Sequence, residues 1–141
     1  MKGMKQVPLV LGFDIGGTKL AACLGREEAE EIHILGTRRC STPRGNWQAA
    51  LESLAVMGEE LLAQEDCQAE SLHAIGVSCG GPLDSRSGEV LSPPNLIGWN
   101  HVPVTSYFAQ RFGVPAFLRN DADACAVAEW KYGAGRGCRN M

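Results

Sequence analysis

An acid, two glycines and a hydroxyl residue stand together in Asp14-Ile15-Gly16-Gly17-Thr18-Lys19, after the apolar run Val7 to Phe13 and before a second, Leu20 to Leu24. Two apolar runs joined through a Gly-Gly turn predict a β-hairpin. Paired glycines accept positive φ and carry no Cβ, so the turn's N–H groups can close on an anion. A carboxylate at a strand end cannot itself hold a phosphate, but it can hold a hydrated Mg²⁺ beside one. The chemistry this allows is the handling of nucleotide phosphate. Taken alone, the motif leaves a plain hairpin turn open as the alternative.

Two more strand ends carry glycines or acids. The apolar run Leu72 to Ser78 leads into Cys79-Gly80-Gly81-Pro82, and Val114 to Arg119 leads into Asn120-Asp121. In open α/β sheets the ligand sits beyond the carboxyl ends of the strands, so three such turns can converge although they are far apart in the chain. Asp121 falls between a strand and a helix. It either caps the helix N-terminus or takes a proton from a substrate hydroxyl, with Asn120 holding a neighbouring hydroxyl in place. The helix dipole keeps such an acid ionised. Asp123 is expected to face elsewhere, as an acid of the first turn.

The elements that must position these residues follow from periodicity. Strands are predicted at about 8–14, 18–25 and 31–39, with Gly25-Arg26-Glu27-Glu28 as a polar turn. Leu51, Leu54, Ala55, Leu61 and Leu62 recur at helical spacing from Asn46 through about residue 64. The proline-rich stretch 82–103 reads as loop with a short hairpin around Gly88. A helix is predicted over about 103–112 with Gly113 as its stop, then a strand at 114–119 and a helix over 121–132. The order β-β-β-α-β-α-β-α predicts an antiparallel meander continued by right-handed crossovers, hence a mixed sheet with helices packed on it.

A chain of 141 residues with 45% hydrophobic and 21% charged residues is one ordinary globular domain in size and composition. A net charge of −3 argues against nucleic acid as partner, since no basic stripe exists to release counterions. The six cysteines are scattered without a C-x-x-C pair, which points to a reduced, cytoplasmic compartment. No apolar stretch is long enough to span a membrane, and the N-terminus lacks the features of a signal peptide. His33, His73 and His101 are unrelated in spacing and read as surface or strand residues. Trp47, Trp99 and Trp130 read as packing residues, Trp99 also as a wall for a pocket. Cys79 and Cys125 read as inert small residues beside it.

Five blocks together resemble a family: Asp14 to Lys19, Gly76 to Asp84, Pro93-Pro94-Asn95-Leu96-Ile97-Gly98-Trp99, Asn120 to Asp123, and Glu129 to Gly137. In order and spacing they resemble the N-terminal lobe of ROK-family sugar kinases of the glucokinase-like kind, over about residues 8 to 137. The resemblance implies an α/β fold of the actin/hexokinase-like (ribonuclease H-like) type, with sheet order 3-2-1-4-5 and flanking helices. It implies a first phosphate loop at Asp14, Gly16, Gly17, Thr18 and Lys19, with Asp14 near Mg²⁺ through water. Gly81 and Asn95 then shape the sugar pocket, Asn120 orients the sugar, and Asp121 is the base for the hydroxyl that attacks the γ-phosphate of ATP. Such transfer asks mainly for positioning and charge neutralisation. Asp123 departs from the Asn common at that position.

The family's second phosphate loop, its later sugar-binding Glu and His, and its cysteine cluster for structural zinc find no match before Met141. Cys138 alone is no zinc site. Residues 1–141 are therefore expected to be the sugar-side lobe, cut near the interlobe hinge and inactive alone. A non-catalytic sugar-sensing module is the alternative function. About seven residues precede the first strand, too few for the helix-turn-helix of the family's repressors. An isolated lobe would also expose its partner's surface and could self-associate.

Overall fold

Leu9, Leu11, Phe13 and Ile15 are buried while Val10, Gly12 and Asp14 between them are not, and this period of two gives the central sheet a covered face and, among the described residues, an open one. The structure is a computed structural model that describes residues 8–28, 31–65 and 72–120. Its strands are β1 (Leu9–Ile15), β2 (Lys19–Glu28), β3 (Glu31–Ser41), β4 (Leu72–Cys79), β5 (Leu83–Asp84), β6 (Glu89–Val90), β7 (Val102–Pro103) and β8 (Ala116–Asn120). Its helices are α1 (Trp47–Gln64) and α2 (Val104–Phe112).

The main sheet runs β3-β2-β1-β4-β8. The first three strands pair antiparallel, while β4 and β8 add parallel to β1. With β8 as the fifth strand, this is the expected order 3-2-1-4-5. One row of register partners crosses the whole sheet on the open face: Arg39, Ala21, Asp14, Ser78 and Arg119.

Both helices cover the other face. Asn46 caps α1, its Oδ1 accepting from Ala49 N at 3.0 Å, which satisfies one of the orphan amides of the first turn. A Cβ on Gly58 of α1 would lie 3.1 Å from side-chain atoms of both Leu11 and Phe13. The glycine lets the helix settle directly on β1. Helix α2 ends at Gly113, whose φ of +70° is the left-handed stop expected there. Between the layers, the Phe13 and Phe108 rings lie 4.6 Å apart and Phe112 stands 6.3 Å from Phe13. Burying each such side chain contributes about 1.5–3 kcal/mol. At the rim, Arg111 of α2 donates to Glu52 and Glu59 of α1, and the Tyr107 hydroxyl donates to Glu52 at 2.9 Å.

Two expectations need correction. Residues Gly25-Arg26-Glu27-Glu28 are not a turn but the last part of β2. Gly25 and Arg26 pair with Val10 and Leu9 on one side and with Ile34 and His33 on the other. Gly25 and Arg26 thus lie on a backbone paired along both edges, and a register shift between Leu24 and Gly25 interrupts the β2–β3 ladder. The stretch 82–103 contains the hairpin at Gly88, as Leu83↔Val90 and Asp84↔Glu89, but also β7, which extends it to a three-stranded sheet. Gly88 has φ +73°, and a Cβ there would strike the Thr105 side chain. The expected helix 121–132, with Asp121, Asp123, Cys125 and Trp130, lies outside the described residues. So do Cys67 and Cys138.

Candidate functional site

Because β1, β4 and β8 run parallel and side by side, their carboxyl ends share one edge of the sheet. Ile15 pairs with Cys79, and Cys79 with Asn120. The three strand ends singled out by sequence thus stand in a row.

Asp14 is exposed on the open face, and its Oδ1 accepts from the Ser78 hydroxyl at 2.9 Å. Groups of three or more metal-ligating side chains are absent among the described residues. A lone, oriented and water-accessible carboxylate fits Mg²⁺, which keeps most of its waters and is bound by one or two carboxylates plus phosphate oxygens.

The turn after β1 is pulled tight. Gly16 N donates to Lys19 O at 3.0 Å, Thr42 Oγ1 donates to Gly16 O at 2.7 Å, and Thr42 N donates to Thr18 O at 2.9 Å. The carbonyls of Gly16, Thr18 and Lys19 are occupied, whereas the N–H groups of Gly17 and Thr18 meet no acceptor among the described residues. That asymmetry suits an anion. Lys19 begins β2 and is exposed.

Two contacts tie the loops together. A Cβ on Gly17 would come within 2.8 Å of Asn95 O, so the turn touches the 93–99 segment backbone to backbone. A Cβ on Gly81 would lie 3.2 Å from Asn120 Nδ2, so the second glycine turn meets the amide at the end of β8. The 93–99 segment is a closed loop: Ser92 N donates to Trp99 O at 2.7 Å and Ser92 Oγ to Asn100 Oδ1 at 3.1 Å. Ser92 and His101, which flank it, have φ of +57° and +51°. Trp99 is buried beneath this loop. His101 pairs with Glu89 at 3.2 Å, and His33 and His73 are exposed strand residues.

A cavity of about 540 Å³ opens between the turn at Gly17 and Thr18, the segment Thr42 to Gly45, and the Asn95 loop, with Trp99 as part of its wall. A second hollow of about 560 Å³ lies along the open face of the sheet, from Asp14 and Ser78 down to Gly12, Cys23 and Gly76. Burial there pushes the Cys23 thiol up from its ordinary value, and the contact with the Gly12 backbone offsets this in part.

Sequence reasoning did not single out Ser78, Thr42 or Arg44. Ser78 was legible in principle, since a parallel pairing of β1 with β4 in strand-end register puts it opposite Asp14. Thr42 and Arg44 follow the end of β3, which turns back towards the first turn only through the β2–β3 pairing.

A family profile described as "ROK family" matches residues 10–141. The chain is 33% identical over 133 residues to a glucokinase of Streptomyces coelicolor, covering 94% of this chain and 39% of the relative. It is 32% identical over 130 residues to a putative xylose repressor of Caldicellulosiruptor, covering 92% of this chain and 32% of that protein. A solved ROK family glucokinase from Streptomyces griseus, in complex with glucose and AMPPNP, superposes with a TM-score of 0.74 at 34% identity, covering 92% of this chain and 38% of that one. The chain therefore spans well under half the length of each of these three relatives. A continuous match over residues 10–141, a shared fold and a sheet of order 3-2-1-4-5 lead to one conclusion: this chain belongs to the ROK family.

Proposed function

We propose that this chain is the N-terminal, sugar-side lobe of an ATP- and Mg²⁺-dependent kinase that phosphorylates a hydroxyl of a hexose or N-acetylhexosamine. The observation that carries the reading is the alignment of Asp14, Gly81 and Asn120 along one sheet edge, with Asp121 next in the chain. The Streptomyces relatives named above are glucokinases, one of them solved with glucose and an ATP analogue.

In this reading Gly81, Asn95 and Asn120 hold the sugar hydroxyls. Asp121 takes the proton from the attacking hydroxyl as its oxygen bonds to the γ-phosphorus and the bond to the ADP oxygen breaks. Gly16, Gly17 and Thr18 turn towards the phosphates, Lys19 closes the motif, and Asp14 would hold Mg²⁺ through water, where the ion would supply charge neutralisation for the phosphate oxygens. The chain alone is expected to turn over negligibly, because the curated relatives place more than half their length beyond the matched region.

The test joins residues 1–141 to the remaining portion of the Streptomyces coelicolor glucokinase and measures ATP-dependent sugar phosphorylation. The chimera is expected to be active, and Asp121→Ala to lower turnover by about 10²–10⁴-fold. A near-unchanged rate in Asp121→Ala removes that residue from the role. The match to a putative repressor supports a second reading, a sugar-sensing lobe without catalysis. Sugar binding by calorimetry, combined with an inactive but folded chimera, would favour it.

A further inference from the structure

We infer that Arg44 is a phosphate-binding residue, which makes the cavity between the three loops a site for the phosphoryl chain of the donor. The inference rests on the kinase reading and adds to it a side chain that the sequence motifs do not contain.

The cavity is a built one. Its three walls are fastened to each other by Thr42 bonded to the Gly16 and Thr18 carbonyls, by Gly17 against Asn95, and by Gly45 against Gly98. A Cβ on Gly98 would lie 3.6 Å from Gly45 O, and Gly45 itself has φ +65°. Arg44 is thus carried on a turn whose two ends are fixed, between Pro43 and a left-handed glycine.

Charge decides what the cavity takes. Among the described residues Arg44 is the sole ionisable side chain on its lining, which includes no carboxylate. Lys19, adjacent to the glycine turn in sequence, does not line it. Arg38 and Arg111 are engaged by glutamates, whereas Arg44 makes no ion pair or hydrogen bond among the described residues. Gly17 and Thr18, whose N–H groups meet no acceptor among the described residues, line the same cavity. Buried Leu96 and Trp99 supply an apolar wall. An exposed guanidinium and two backbone donors on the lining of one cavity match the oxygens of a phosphate and offer a carboxylate-free path for more than one of them. A volume of about 540 Å³ exceeds a single phosphate and accommodates a di- or triphosphate.

The test uses the 141-residue chain, ¹⁵N-labelled, titrated with inorganic tripolyphosphate and followed by NMR. The expected result is a saturable shift of the Gly17 and Thr18 amides and of the Arg44 side-chain Nε–H. Arg44→Gln should weaken binding by about tenfold, as loss of one charge-assisted hydrogen bond implies. Arg44→Lys should weaken it less, and Arg86→Gln, on the distant β5–β6 turn, should leave it unchanged. If the Gly17 and Thr18 shifts persist in Arg44→Gln with unaltered affinity, the Arg44 assignment is overturned while the phosphate-loop reading stands. If those amides do not respond in the unsubstituted chain, both fall.

Discussion

Ser78 donates its hydroxyl to Asp14 Oδ1 at 2.9 Å, and the same two residues are register partners in the parallel pairing of β1 with β4. The carboxylate that would face the metal is thereby aimed by the neighbouring strand rather than by its own. Partners of this kind orient a ligand and typically contribute 10–100-fold to metal affinity. In the chimeric kinase, Ser78→Ala should raise the Mg²⁺ concentration for half-maximal rate by about tenfold. A Mg²⁺ titration that does not move would separate Asp14 from the metal.

Gly17 and Gly76 make opposite demands. A Cβ at Gly17 would run into Asn95 O, whereas one at Gly76 meets nothing within 4 Å. Gly17→Ala should displace the 93–99 loop, visible as shifted amides at Leu96 and Trp99, and weaken tripolyphosphate binding. Gly76→Ala should perturb neither. Equal behaviour of the two would show that the close approach does not matter.

The aromatic contact beneath the sheet sets stability. Phe108 is fully buried and lies 4.6 Å from Phe13. Phe108→Ala should lower the unfolding free energy by about 3–5 kcal/mol in a denaturant titration. Phe108→Leu, which keeps most of the volume, should cost less than half of that. A loss near zero for the alanine would mean the layer is not packed as described.

The rim clamp gives a pH signature. Hydrogen bonds from Arg111 first, then Tyr107, hold the Glu52 carboxyl below its ordinary value of 4.5. A depressed folded value means that this contribution is present above pH 4.5 and fades as the pH falls through the lowered value. The thermal midpoint of the unsubstituted chain should exceed that of Glu52→Gln at neutral pH, and the gap should close on acidification below that value. A gap that widens with acid would contradict the sign. Glu52 is solvent-exposed, so the effect at neutral pH is small.

How far the sequence spoke depended on the range of the interaction. The apolar run of β1, the helical spacing that begins at Asn46 and the Gly113 stop are local, and each was readable from a few residues. The alignment of strand ends was also readable, because parallel crossovers leave few topologies. What escaped was non-local. Gly25-Arg26-Glu27-Glu28 has the composition of a turn, yet pairing on both sides keeps it extended. Ser78 follows only once β1 and β4 are paired in register, and Thr42 and Arg44 matter through neighbours that only the fold brings near. Asp121, the residue on which the catalytic reading turns, lies beyond the described residues, so its role is carried by sequence.

The seam where Gly17 meets Asn95 joins the loop proposed for the phosphates to the loop proposed for the sugar. In the proposed reaction, donor and acceptor would therefore dock on a single stiff body whose internal spacing is fixed when the chain folds. Part of the entropic cost of aligning two reactants is then met once, at folding, instead of in every catalytic cycle.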